Sequence, residues 1–161
     1  MNLLKSEDWA VLMDGDTMFL GVRWGAQIEY AITHYSDAGL ITGVSNRSGY
    51  HWAQGYQGKF HEISDVKYWR KVALELEKKY FGQCTLINQK VTGLLMIIKK
   101  QIWDAYIEQT GVDLEGNLGL DDHICERLLM HKQKIYRLEG LFVFHYYRLL
   151  EGSGYRDHLL K

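Results

Sequence analysis

Proline is absent from all 161 residues. Cysteine is almost absent too. Cys84 and Cys125 stand far apart at no metal-ligand spacing, which fits core thiols in a reducing compartment and excludes a disulfide framework. Neither sign of charge dominates: 19 basic against 20 acidic residues leave a net charge of -1. There is no basic stripe with interleaved aromatics, so nucleic acid is not an expected partner. Long apolar runs are also missing, and the longest, such as Leu94 to Ile98, are far too short to cross a bilayer. Met1-Asn2-Leu3-Leu4-Lys5 runs at once into Ser6-Glu7-Asp8, without the apolar core of an export signal. The expected location is the cytoplasm, at most peripheral to a membrane.

What is present is the composition of an ordinary globular protein, 47% apolar and 24% charged. A chain of this length reads as one domain over 1–161, with residues 149–161 as a C-terminal tail. The run Trp9-Ala10-Val11-Leu12-Met13 has no polar alternation and reads as a strand buried on both faces. It leads directly into Asp14-Gly15-Asp16. Spacings of three and four through Trp24, Ile28, Ala31 and Ile32 predict a helix ending before Asp37, and Leu40 to Val44 predicts a short strand. The polar stretch from Ser45 to Gly58 reads as a loop with few aliphatic anchors.

Ser64-Asp65 supply an N-cap for a helix over Val66 to Phe81, with Trp69, Val72, Ala73, Leu76 and Tyr80 on one face and Gly82 just past its end. Strands are expected over Cys84 to Ile87 and, fully buried, Gly93 to Ile98. A helix should follow over Lys99 to Gln109, then a glycine-rich turn over Gly111 to Gly119. Asp121 or Asp122 would cap the next helix, whose inner face is Ile124, Cys125, Leu128 and Leu129. Ile135 to Leu138 and Leu141 to Phe144 read as strands around a Glu139-Gly140 turn. The alternation makes the class α/β.

Three polar groups end or interrupt apolar elements. Asp14 and Asp16 at a sheet's C-terminal edge make a hard-oxygen site for Mn²⁺ or Mg²⁺, or simple turn chemistry. Asp121 and Asp122 are a second carboxylate pair, or helix capping. His145 is a ligand, or a strand-end histidine satisfied by hydrogen bonds. All three could converge on one sheet edge.

The order Trp9 to Thr17, then Gly43-Val44-Ser45-Asn46-Arg47 with Gln54, resembles the family 2 type of glycosyltransferases with the GT-A fold. So do Thr92-Gly93 through Lys100 with Trp103, Leu120-Asp121-Asp122 with Arg127, and Glu139-Gly140 through His145-Tyr146-Tyr147-Arg148. The resemblance implies a mixed sheet flanked by helices, and a metal site of Asp14, Asp16 and His145 for Mn²⁺ or Mg²⁺. Asp16 would be the direct ligand, and Asp14 would touch the donor's ribose or sugar. It implies a nucleotide-diphosphate sugar donor, a uridine-diphosphate sugar foremost, and a glycan acceptor. Asp121 or Asp122 would be the general base of an inverting transfer: counting back from Arg127 favours Asp121, and the bare Asp-Asp pattern favours Asp122. Substrate contacts would come from Asn46, Arg47, Gln54, Gly93, Arg127, Tyr147 and Arg148.

The chain departs from that pattern in two ways. Only eight residues precede Trp9, where the family has a βαβ portion that grips the nucleotide, and Asp121-Asp122 replaces the commoner Glu-Asp. The expectation is therefore a partial GT-A domain, its C-terminal part, with a strand edge left open near Val11. A truncated or split enzyme, a homo-oligomer or partner chain that completes the sheet, and a non-catalytic remnant all fit that expectation. A metal-dependent phosphate-ester hydrolase would use the same carboxylates.

Overall fold

The computed structural model describes residues 3–106 and 119–146. In chain order the elements are β1 (Trp9–Met13), β2 (Thr17–Phe19), α1 (Trp24–His34), β3 (Ala38–Ser45), α2 (His51–Gln54), α3 (Val66–Tyr80), β4 (Cys84–Leu86), β5 (Leu95–Lys99), α4 (Lys100–Tyr106), α5 (Leu120–Met130) and β6 (Lys134–His145). The six strands form one mixed sheet in the order β1-β5-β3-β6-β2, with β4 paired to β6 off that path. Only β3 and β6 run parallel; the other pairs are antiparallel.

The uninterrupted apolar runs take the middle of the sheet. Leu95 to Ile98 of β5 and all eight residues of β3 are buried. Strand alternation sends Leu40, Met96 and Ile98 to one face, where Ile102 and Trp103 of α4 and Ile124, Cys125 and Leu128 of α5 pack on them. Ile41, Leu95 and Ile97 go to the other face, against Ile28 and Ala31 of α1. A third cluster holds α3 to the later half of β6, with Trp69 stacked on Phe142 at 5.4 Å between ring centres. The result is an α/β mixed sheet flanked by helices. No helix among the described residues is long and apolar enough to cross a membrane.

Helix α3 follows its sequence signals. Asp65 accepts hydrogen bonds from the Lys67 and Tyr68 N–H groups, and Gly82 takes the left-handed conformation beyond the end, at φ 69°. Both thiols are free; burial pushes Cys125 up to about 11 and, together with Glu139, Cys84 up to about 12.

Four expectations need correction. β1 is not buried on both faces: it is an edge strand, and Val11 is 46% exposed. The stretch from Ser45 to Gly58 is not all loop: α2 lies within it, and Asn46, Arg47, Ser48 and Gln54 are buried while Trp52 is 55% exposed.

Neither Asp121 nor Asp122 caps α5. Gly119 holds that position, and both carboxylates lie in the first turn. Glu139-Gly140 is not a hairpin turn but a bulge inside the single strand β6. Consecutive residues Gly43 and Val44 of β3 pair with Leu138 and Phe142. A Cβ on Gly140 would lie 2.3 Å from Gln27 Oε1 and 2.7 Å from the Tyr80 carbonyl oxygen, so glycine is there for the close approach of α1 and α3. The expected helix residues 107–109, residues 111–118 of the turn, Tyr147, Arg148 and the tail lie outside the described residues.

Candidate active site

Beyond β1 the chain turns through Asp14-Gly15-Asp16 into β2. Thr17 closes the turn, its N–H and hydroxyl both donating to the Asp14 carbonyl oxygen at 3.2 and 2.7 Å. β2 pairs with the end of β6, Thr17 opposite His145, and this register brings the histidine beside Asp16. His145 Nε2 lies 3.3 Å from Asp16 Oδ1. One ligand atom each from Asp14, Asp16 and His145 fall within 4.8 Å of one another. The ring's other nitrogen, Nδ1, is 2.9 Å from the Arg47 carbonyl oxygen. A carbonyl can only accept, so Nδ1 carries a proton, and whenever the ring is neutral Nε2 is the nitrogen without one.

Asp121 reaches the same place from α5. Its Oδ2 accepts the Gly93 N–H at 3.0 Å and its Oδ1 the Asp122 N–H at 2.9 Å. Gly93 stands between two carboxylates. A Cβ there would meet Asp121 Cβ at 3.5 Å and Asp14 Oδ1 at 3.7 Å. Asp14 has its pKa raised above 3.8: burial is the largest cause, His145 pulls it down, and the negative charges of Asp16 and Asp121 add to the rise.

Asp14, Asp16, Asp121 and His145 all line an open cleft of about 870 Å³, whose apolar wall includes Val11, Leu12, Met13, Phe60, Met96 and Ile124. That is the size of a small-molecule site, roughly 300–1,000 Å³.

The structure separates the two adjacent carboxylates. Asp122 is not among the cleft-lining residues. It accepts the Tyr50 hydroxyl at 2.5 Å and lies 3.6 Å from Lys90 Nζ, which is also paired with Glu126 at 2.7 Å. Burial and this bond to Asp122 push the Tyr50 phenol up to about 12. Tyr50 and Thr92 were not legible as site residues. Tyr50 gives no signal beyond being an aromatic in a polar stretch, and Thr92 gains its place only by lying next to Gly93.

Of the expected substrate contacts, Gly93 and Arg47 reach the cleft. The Arg47 guanidinium donates to the carbonyls of His61, Glu62 and Tyr146 at 2.9, 2.6 and 3.3 Å, so it ties three segments together. Gln54 is fully buried. Its Oε1 accepts from Ser48 Oγ, Thr92 N–H and Thr92 Oγ1, and its Nε2 donates to Thr42 Oγ1 and the Thr92 carbonyl oxygen. It holds Thr92, which lines the cleft, rather than lining the cleft itself. Asn46 is also fully buried and bonded to the main chain of His145. Arg127 sits in the last turn of α5, apart from the cleft-lining residues. No family model, curated protein or solved structure matches this chain.

Proposed function

We propose that this chain is a divalent-cation-dependent glycosyltransferase of the GT-A type, inverting at the anomeric carbon. Its donor is a nucleotide-diphosphate sugar, a uridine-diphosphate sugar foremost, and its acceptor is a glycan hydroxyl. The observation that carries the reading is the meeting of His145 Nε2 and Asp16 Oδ1 at 3.3 Å, with Asp14 beside them. With the ring neutral these are two acceptor atoms, which repel at that distance unless a cation lies between them.

Two carboxylates and one imidazole suit Mn²⁺, and Mg²⁺ with more difficulty. Asp14, Asp16 and His145 would hold the ion. Bound there, it supplies Lewis-acid stabilisation of a departing diphosphate. Asp121 takes the role of general base, because it faces the cleft while Asp122 is engaged by Tyr50 and Lys90. It accepts the proton of the acceptor hydroxyl as that oxygen attacks.

Calorimetric titration with Mn²⁺ should show one ion per chain, and turnover of uridine-diphosphate sugars should require it. Asp16→Asn should lose both. Undiminished turnover in that variant sinks the metal assignment, and turnover of simple phosphate esters in place of nucleotide sugars would support the hydrolase reading.

A second reading has one observation of its own. The outer edge of β1 pairs with nothing among the described residues, and Val11 on it is exposed. An edge of that kind accepts another strand. In this reading the site is complete only with a second chain, and the isolated chain binds the ion without turning over the donor.

A further inference from the structure

The β3–β6 ladder ends at Ser45 opposite Val143. Two residues further along β6 comes His145, and there Asn46 replaces the missing strand with its side chain. Asn46 Oδ1 accepts the His145 N–H at 2.8 Å, and Asn46 Nδ2 donates to the His145 carbonyl oxygen at 3.2 Å. The orientation of the carboxamide is forced, since a main-chain N–H only donates and a carbonyl only accepts. On the opposite side His145 pairs with Thr17, and the next N–H, of Tyr146, donates to the Asp16 carbonyl oxygen at 2.9 Å. The main chain of His145 is thus gripped from both sides.

The residue after Asn46 then acts on the ring. The Arg47 carbonyl oxygen accepts a hydrogen bond from Nδ1–H at 2.9 Å, so that in the neutral ring Nε2, 3.3 Å from Asp16, is the nitrogen without a proton. Arg47 is itself pinned, by its N–H to Ser45 Oγ at 3.2 Å and by its guanidinium to three carbonyls. Asn46 is fully buried, and neither of its polar atoms is turned to the cleft.

We infer that Asn46 and the Arg47 carbonyl form a positioning pair: Asn46 sets where the His145 main chain lies, and Arg47 sets which ring nitrogen is bare. Together they aim Nε2 into the space shared with Asp14 and Asp16. Asn46 is therefore a positioning residue and not the substrate contact its sequence context implies. The inference rests on the cation reading above only for what the bare nitrogen is for. The tautomer and its cause are independent of that reading.

Nitrogen-15 spectra of the metal-free full chain, at a pH where the imidazoles are neutral, test it directly. His145, identified by the loss of its signals in His145→Gln, should show a protonated Nδ1 and a bare Nε2. In Asp16→Asn that pattern should persist while Mn²⁺ binding is lost, because the tautomer is set from the Asn46-Arg47 side. In Asn46→Ala the two nitrogen signals should move toward a tautomer mixture, and Mn²⁺ affinity should fall by about 10–100-fold, the usual effect of losing a group that orients a ligand.

If Asn46→Ala does not fold, Asn46→Asp, which keeps the bond from the His145 N–H but sets an oxygen against the His145 carbonyl, takes its place, with a shift of the same signals expected. A protonated Nε2 in the wild-type chain overturns the inference, as do unchanged ring signals and unchanged Mn²⁺ affinity in a folded Asn46 variant. A wild-type chain that binds no Mn²⁺ overturns the cation reading instead, and the tautomer measurement still decides the positioning pair.

Discussion

Asp14 shares its end of the cleft with Asp16 and Asp121, and its burial there is the main reason its pKa lies above 3.8. A carboxyl with a raised folded pKa binds its proton more tightly in the folded chain than in the unfolded one. Its contribution to stability is complete below the unfolded value and is lost as pH rises through the folded value. Asp14→Asn should therefore raise the metal-free Tm near about pH 7 and flatten the gain on acidification, and melts between about pH 7 and pH 4 check both. Millimolar Mn²⁺ should shrink the difference by stabilising the wild-type chain. The neighbouring pair separates by role. Asp121→Asn should lower transfer by about 10²–10⁴-fold, as expected on removing a general base, and lower Tm as well, because its amide nitrogen would face a main-chain N–H that a carboxylate oxygen now accepts. Asp122→Asn should lower stability by about 1 kcal/mol through the weakened Tyr50 bond, but leave turnover within a small factor. Steady-state assays and melts on the two variants separate these outcomes.

Among the elements, β6 shows most clearly how far local pattern carries. Its two apolar halves were readable, and so was the break at Glu139-Gly140. What the break did was not readable, because a two-residue hairpin turn and a bulge within one strand both present Glu-Gly between apolar runs. The packing of α1 and α3 on Gly140 settles it. Gly140→Ala should cost about 1–3 kcal/mol, since backbone and a buried amide must give way. Gly93→Ala meets nothing closer than 3.5 Å and should keep a near-native Tm while disturbing the space between Asp14 and Asp121. Urea denaturation of both variants tests the contrast. Helix α3 is the opposite case. Its cap, its inner face of Trp69, Val72 and Ala73, and its terminal Gly82 are local signals that tertiary structure had no reason to override.

For the molecule as a whole, the open edge of β1 is the feature that bears on association. Trp9, Ala10, Leu12 and Met13 pack partly against the two main cores, while Val11, which also lines the cleft, is 46% exposed. Val11→Lys should change the stability of the isolated chain by no more than about 0.5 kcal/mol, as for other exposed positions. It should abolish any association that adds a strand there, which sedimentation of wild type and variant would show. The sequence by itself determined the α/β class, the central strands β3 and β5, and the helix α3. Each of these depends on a side-chain pattern repeated over a few neighbouring residues. Only the tertiary structure decided that Asp121 and not Asp122 faces the cleft, and that Asn46 and Gln54 serve the scaffold. These are matters of which distant groups meet: a polar side chain does not reveal in advance whether its partner is a ligand or a main-chain carbonyl.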